Sequence, residues 1–141
     1  MNTVRFRYLY RGNDRFNNYI HKMRYLLFDN AGHYIKDMEP VEGELNRVRI
    51  GSLREGTYTL VGIGNLEDYG ELRGYTEVGL EQFHLAVTKY IDDSGEAIAN
   101  GDRIYWGECC FTVVKDSSNK FVGEMSNIHC VFRVRVEWEL V

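Results

Sequence analysis

Apolar and polar residues alternate along much of this chain, and the pattern is cleanest over residues 128–141. Ile128, Cys130, Phe132, Val134, Val136, Trp138 and Leu140 are apolar, with His129, Arg133, Arg135, Glu137 and Glu139 between them. Side chains on a strand point to opposite faces at every second residue, so this run predicts one core face and one wet face. At about 3.3 Å per residue it would reach roughly 40 Å, far longer than an average strand. No turn residue closes it before Val141. The expectation is an antiparallel, all-β domain whose natural polypeptide continues past residue 141.

The same reading runs through the rest of the chain. Val4, Phe6, Tyr8 and Tyr10 alternate with Arg5, Arg7 and Arg11 and predict a first strand. Residues 12–19 are rich in turn formers and predict a loop. Residues 20–29 predict a second strand, apolar on both faces from Tyr25 to Phe28, as expected of a strand covered on both sides. Asp29-Asn30-Ala31-Gly32 predicts a turn leading into His33, Tyr34 and Ile35. Further strands are expected at residues 45–50, 57–63, 80–87 and 104–114, the last broken near Gly107. Phe121 and Val122 add a short piece. Gly62 and Gly64 weaken a strand interior unless another backbone or a bulky ring packs against them. Residues 65–79 and 92–103 read as loops. Nothing has the period of a long amphipathic helix. Short strands separated by turns point to a β-sandwich.

At 141 residues the chain is a single domain, with no repeat, linker or low-complexity segment. It is 44% hydrophobic and 27% charged, an ordinary globular balance, with a net charge of −4. That charge argues against nucleic acid, because neutralising phosphates needs a basic surface. No apolar run is long enough to span a bilayer, and Met1-Asn2-Thr3 begins no signal peptide. The chain is therefore cytoplasmic, or an export signal precedes this numbering. Cys109, Cys110 and Cys130 have no metal-ligand spacing. Cys109 and Cys130 share their strand faces with core residues and read as buried thiols, a Cys109–Cys130 disulfide being the alternative.

Chemistry is sparse. His21, His33, His84 and His129 are dispersed, and Gly62-Ile63-Gly64 lacks the third glycine of a dinucleotide loop. The acidic groups Glu67, Asp68, Glu71 and Asp92, Asp93, Glu96 match no calcium loop and read as solvated loop tips. Tyr105 and Trp106 beside Gly107, with Tyr69 and Tyr75 on a loop, form an alternative aromatic platform for a sugar. No catalytic constellation and no cofactor motif emerges. The residues describe a binding or structural module rather than an enzyme.

Three segments in order carry a family resemblance. Tyr25-Leu26-Leu27-Phe28-Asp29-Asn30-Ala31-Gly32 resembles an aliphatic-aliphatic-Phe-Asp-x-x-Gly strand and turn. Leu53-Arg54-Glu55-Gly56-Thr57-Tyr58-Thr59-Leu60-Val61-Gly62-Ile63-Gly64-Asn65 resembles a Leu-x-x-Gly-x-Tyr signature ending in Gly-Asn. Ile104-Tyr105-Trp106-Gly107 resembles a Leu-aromatic-x-Gly strand. Together they resemble the fimbrillin-A-associated anchor proteins, base subunits of type V pili. The resemblance implies a Greek-key sandwich of transthyretin-like or immunoglobulin-like type, with about seven main strands. It implies the N-terminal domain of a two-domain lipoprotein, held in the outer membrane by an acylated cysteine that this chain does not show. The partners implied are fimbrial shaft subunits, joined by strand pairing. The expected contact strands are edge strands, the first, with Val4, Phe6 and Tyr8, and the last, with Val134, Val136 and Trp138.

Overall fold

The structure is a computed structural model that describes residues 1–51, 53–65, 80 and 104–127. Its strands are β1 (Asn2–Arg7), β2 (Leu9–Tyr10), β3 (Asn13–Asp14), β4 (Met23–Asp29), β5 (Tyr34–Met38), β6 (Arg47–Ile50), β7 (Gly56–Gly64), β8 (Tyr105–Val113) and β9 (Lys120–Asn127). A single helical turn, α1 (Phe16–Tyr19), lies between β3 and β4. The domain is all-β, as the alternation predicts. Of the expected strand at residues 80–87 only Leu80 is described, and the expected strand at 128–141 and the loops over 66–79 and 92–103 lie outside the described residues.

Seven strands form one sheet in the order β5-β4-β7-β8-β9-β1-β6, and β2 and β3 make a separate hairpin. Neighbours are antiparallel except β1 and β9, which run parallel. That pair corrects the expectation of a purely antiparallel domain. Parallel neighbours need a long crossover, and here nearly the whole domain separates the two strands. The sheet curls back on itself. Strands β4 and β1 stand far apart in the order, yet the Tyr25 and Phe6 rings meet with centroids 5.5 Å apart. The Tyr25 hydroxyl donates to the Leu45 carbonyl at 2.6 Å, just before β6. The two flanks thus close on one interior, giving the sandwich-like form.

That interior holds Val4, Phe6, Phe16, Ile20, Tyr25, Leu27, Val48, Ile50, Leu60, Tyr105, Cys109, Phe111 and Met125. The opposite face of β4 and β7 is apolar too: Leu26, Phe28, Val61 and Ile63 are fully buried. The doubly apolar run in β4 is therefore covered on both sides, as predicted. Gly62 and Gly64 have the close neighbours their strand positions require, Met23 and Tyr25 at the first, Ile20 and Tyr105 at the second.

Three expectations change. The stretch over residues 12–19 is not plain loop: Asp14 accepts the Tyr8 and Phe16 amides, both at 3.1 Å, and Phe16 turns into the core. Local side-chain acceptors and one buried ring are enough to wind a turn of helix there. Strand β8 runs unbroken through Gly107, which pairs with both Gly62 and Met125. Strand β9 is far longer than Phe121 and Val122. Its inward positions include Gly123 and Asn127, so the apolar alternation that would reveal it is missing.

Candidate subunit-contact site

The first predicted contact strand, β1, is built as an insert rather than a rim. Residues 2–5 pair antiparallel with β6, and residues 3–7 pair parallel with β9. β1 is thus not an edge strand, contrary to its place at the start of the chain; both its hydrogen-bonding sides are occupied. Val4 and Phe6 are fully buried. The buried Asn2 accepts the Asn119 amide at 2.7 Å, and the Thr3 amide donates to the Asn119 carbonyl. At the other end Asn46 brackets Phe6, its carbonyl accepting the Phe6 amide and its side chain donating to the Phe6 carbonyl.

Phe6 is the centre of this arrangement. Its ring lies over Gly123 of β9 and Gly107 of β8, and a Cβ at Gly123 would stand 2.5 Å from Phe6 Cε1. Two missing side chains make the bed into which one ring drops. On the other face of β1, Arg5 pairs with Asp14 and Arg7 with Glu124. Exposed pairs of this kind contribute about 0–1 kcal/mol each, so the strand is held by Val4, Phe6 and its ladders.

The remaining predicted residues are distributed as follows. Tyr8 is half-buried between the rings of Tyr105 and Tyr19. Val134, Val136 and Trp138 lie outside the described residues. Tyr105 and Trp106 point to opposite faces of β8 and are 1% and 7% exposed, so neither presents a ring face to a sugar. That corrects the aromatic platform: adjacent residues on a strand covered on both faces are both core. At the two ends of the described sheet order, β5 carries Lys36 and Asp37 and β6 carries Arg47 and Arg49. Charged side chains are the usual guard against unwanted strand pairing.

No cluster of three or more metal-ligating side chains exists among the described residues. Among them too, no helix is long and apolar enough to cross a membrane. Cys109 is a buried free thiol, pushed up to about 11 by burial and by neighbouring Cys110, and Cys110 is exposed. Cys130 lies outside the described residues. A thiol held so far from ionisation is no nucleophile at neutral pH.

The motif residues do structural work that sequence reading alone left unassigned. Asp29 Oδ1 accepts the Ala31 and His33 amides at 2.9 Å, closing the β4–β5 turn. Gly32 sits at φ +83°, a conformation glycine adopts without steric cost. The Tyr58 hydroxyl donates to the Arg54 carbonyl at 2.8 Å, the arrangement of a tyrosine corner, and its ring stacks on Phe111. Asn65, at φ +64°, accepts the His21 amide at 2.8 Å and donates to the Tyr19 carbonyl at 2.8 Å. It latches the end of β7 to the segment entering β4.

The family model of fimbrillin-A associated anchor proteins Mfa1 and Mfa2 matches residues 1–140. The chain belongs to this family. No curated protein matches it. Among solved structures it is similar to a candidate adhesin from Bacteroides thetaiotaomicron, at 21% identity and TM-score 0.56, covering 88% of this chain and 44% of that one. It is also similar to a candidate polysaccharide-binding protein from the same species, at 12% identity and TM-score 0.57, covering 87% and 45%. A candidate adhesin from Bacteroides ovatus matches at 13% identity and TM-score 0.56, covering 88% and 45%. These likenesses show a shared fold. The chain spans less than half the length of each of these structures.

Proposed function

We propose that this anchor-family chain is a non-enzymatic fimbrial anchor or accessory subunit. In this reading it tethers a pilus shaft to the outer membrane through strand-mediated contacts. The family match across residues 1–140 carries the proposal. A two-domain parent lipoprotein is part of the same reading, supported by similar structures about twice as long as this chain. The strands proposed to take part are β1, with Val4, Phe6 and Tyr8, and the run bearing Val134, Val136 and Trp138. β1 supports this by its setting. Withdrawn from between β6 and β9, it would leave a groove floored by Gly107 and Gly123, and such a groove binds a strand through main-chain hydrogen bonds and side-chain pockets.

Deleting the gene tests the reading. Shaft subunits are expected to be made but shed into the medium, and fatty-acid labelling of the encoded protein is expected to mark its N-terminal region. Fimbriae retained on the cell at normal abundance would overturn the anchoring role. The rival reading, a sugar-binding sandwich built on Tyr105 and Trp106, loses its platform because both are buried.

A further inference from the structure

The β2–β3 hairpin and the helical turn beside it carry a second surface feature. A row of tyrosines climbs from the core to the surface there. Tyr105 is buried, the Tyr8 ring stands edge-on to it at 4.9 Å, and Tyr19 stands edge-on to Tyr8 at 5.7 Å. Tyr10 completes the row, 5.9 Å from Tyr19. The outer two are open to solvent, Tyr10 at 42% and Tyr19 at 37%. Arg11 places its guanidinium carbon 5.3 Å from the centre of the Tyr10 ring.

This surface is held stiffly. Arg11 and Gly12, at φ +51° and +82°, form the two-residue turn of the hairpin, a backbone state unusual for arginine. Buried Phe16 and Ile20 pin the helical turn that ends in Tyr19, and the Asn65 side chain binds the Tyr19 carbonyl. Rigid tyrosines offer broad amphipathic contact at small entropic cost, suited to the C–H faces and hydroxyls of a sugar ring.

Charge narrows the ligand. Arg5 and Arg7, on the same stretch of chain, are ion-paired to Asp14 and Glu124. Arg11 and Arg15 have no carboxylate partner among the described residues, although the chain as a whole carries −4. Both are exposed. A planar guanidinium recognises a carboxylate through paired N–H donors. We propose that Tyr10 and Tyr19, with Arg11 and Arg15, form a binding site for an acidic glycan, one whose pyranose rings carry carboxylates. The proposal goes beyond the anchoring role and does not depend on it.

Isothermal titration of the protein with oligogalacturonate tests this, with a neutral oligosaccharide of equal length and polyglutamate as comparators. Binding to the uronate is expected, weakened at least tenfold by Tyr10→Ala and by Arg11→Gln. Rising salt should weaken it as well, because the charges are exposed. All four side chains are on the surface, so an unchanged far-ultraviolet circular dichroism spectrum and an unchanged unfolding midpoint should confirm that each variant is folded. No uronate binding, or binding unaffected by both substitutions, would overturn the site. Equal affinity for the neutral sugar would remove the arginines from it. Equal affinity for polyglutamate would reduce it to a general attraction for polyanions.

Discussion

Strands β7 and β1 are both interior to the sheet, yet they are held in different ways. β7 pairs along almost its whole length with β4 on one side and β8 on the other, all antiparallel. Leu60 is buried on one face and Val61 and Ile63 on the other. β1 is shorter, pairs with β6 over residues 2–5, and runs parallel to β9, a slightly weaker kind of ladder. Val4 and Phe6 are its only buried apolar side chains, while Thr3, Arg5 and Arg7, alternating with them, are half-buried. Stability is uneven within a fold, and segments with less buried apolar surface open first. A strand can sit inside a sheet and still be held less firmly than another interior strand.

The largest expected effect comes from Phe6→Ala. Emptying the bed above Gly107 and Gly123 should cost about 3–5 kcal/mol, the usual range for a buried phenylalanine. Hydrogen exchange decides whether the contrast holds. Amides of β1 and its partner residues in β6 should lose protection first, with β7 still protected. Equal loss in β1 and β7 would make the sheet one cooperative unit and dissolve the distinction.

A smaller effect is expected on the side of β7. Asn65→Ala removes two 2.8 Å hydrogen bonds and puts alanine in a left-handed conformation. The cost should be about 1–3 kcal/mol by denaturant unfolding. Asn65→Gly restores the backbone preference without the hydrogen bonds, so it should fall between alanine and the parent. Protection in β1 should not change. If alanine and asparagine unfold at the same midpoint, the latch contributes nothing.

This division between strands was only partly legible beforehand. Alternation located β1, β4, β7 and β8, and the apolar run Tyr25 to Phe28 announced a strand covered on both faces. It missed most of β9, because Gly123 makes room for Phe6 and so carries no apolar signal of its own. The first strand is expected at an edge because a strand at the start of the chain can detach, whereas its parallel partner arrives more than a hundred residues later. The sequence leaves Tyr105 and Trp106 open as an alternative platform, since an aromatic pair looks the same in a core as on a surface. The tyrosines that do reach solvent, Tyr10 and Tyr19, lie nine residues apart and meet only through the hairpin and the helical turn.

The smallest effect expected is one of pH, at the turn joining β4 to β5. The Asp29 carboxyl is held below its ordinary value of 3.8, chiefly by the His33 amide, with the Ala31 amide and the His33 ring adding to it. A carboxyl lowered in the folded state contributes stability above its unfolded pKa and loses it as pH falls through the folded value. Acidification from about pH 5 to pH 2 should therefore loosen the amides of Ala31 and His33. Because Asp29 is exposed, the change should stay local, with the β4–β7 ladder protected throughout. Asp29→Asn keeps an acceptor oxygen but no titrating proton, so the Ala31 and His33 resonances should then stop moving over that range. Resonances that titrate identically in Asp29→Asn would place the pH response elsewhere. The β4 side of the sheet would then owe nothing to this carboxylate, and its advantage over β1 would rest on burial alone.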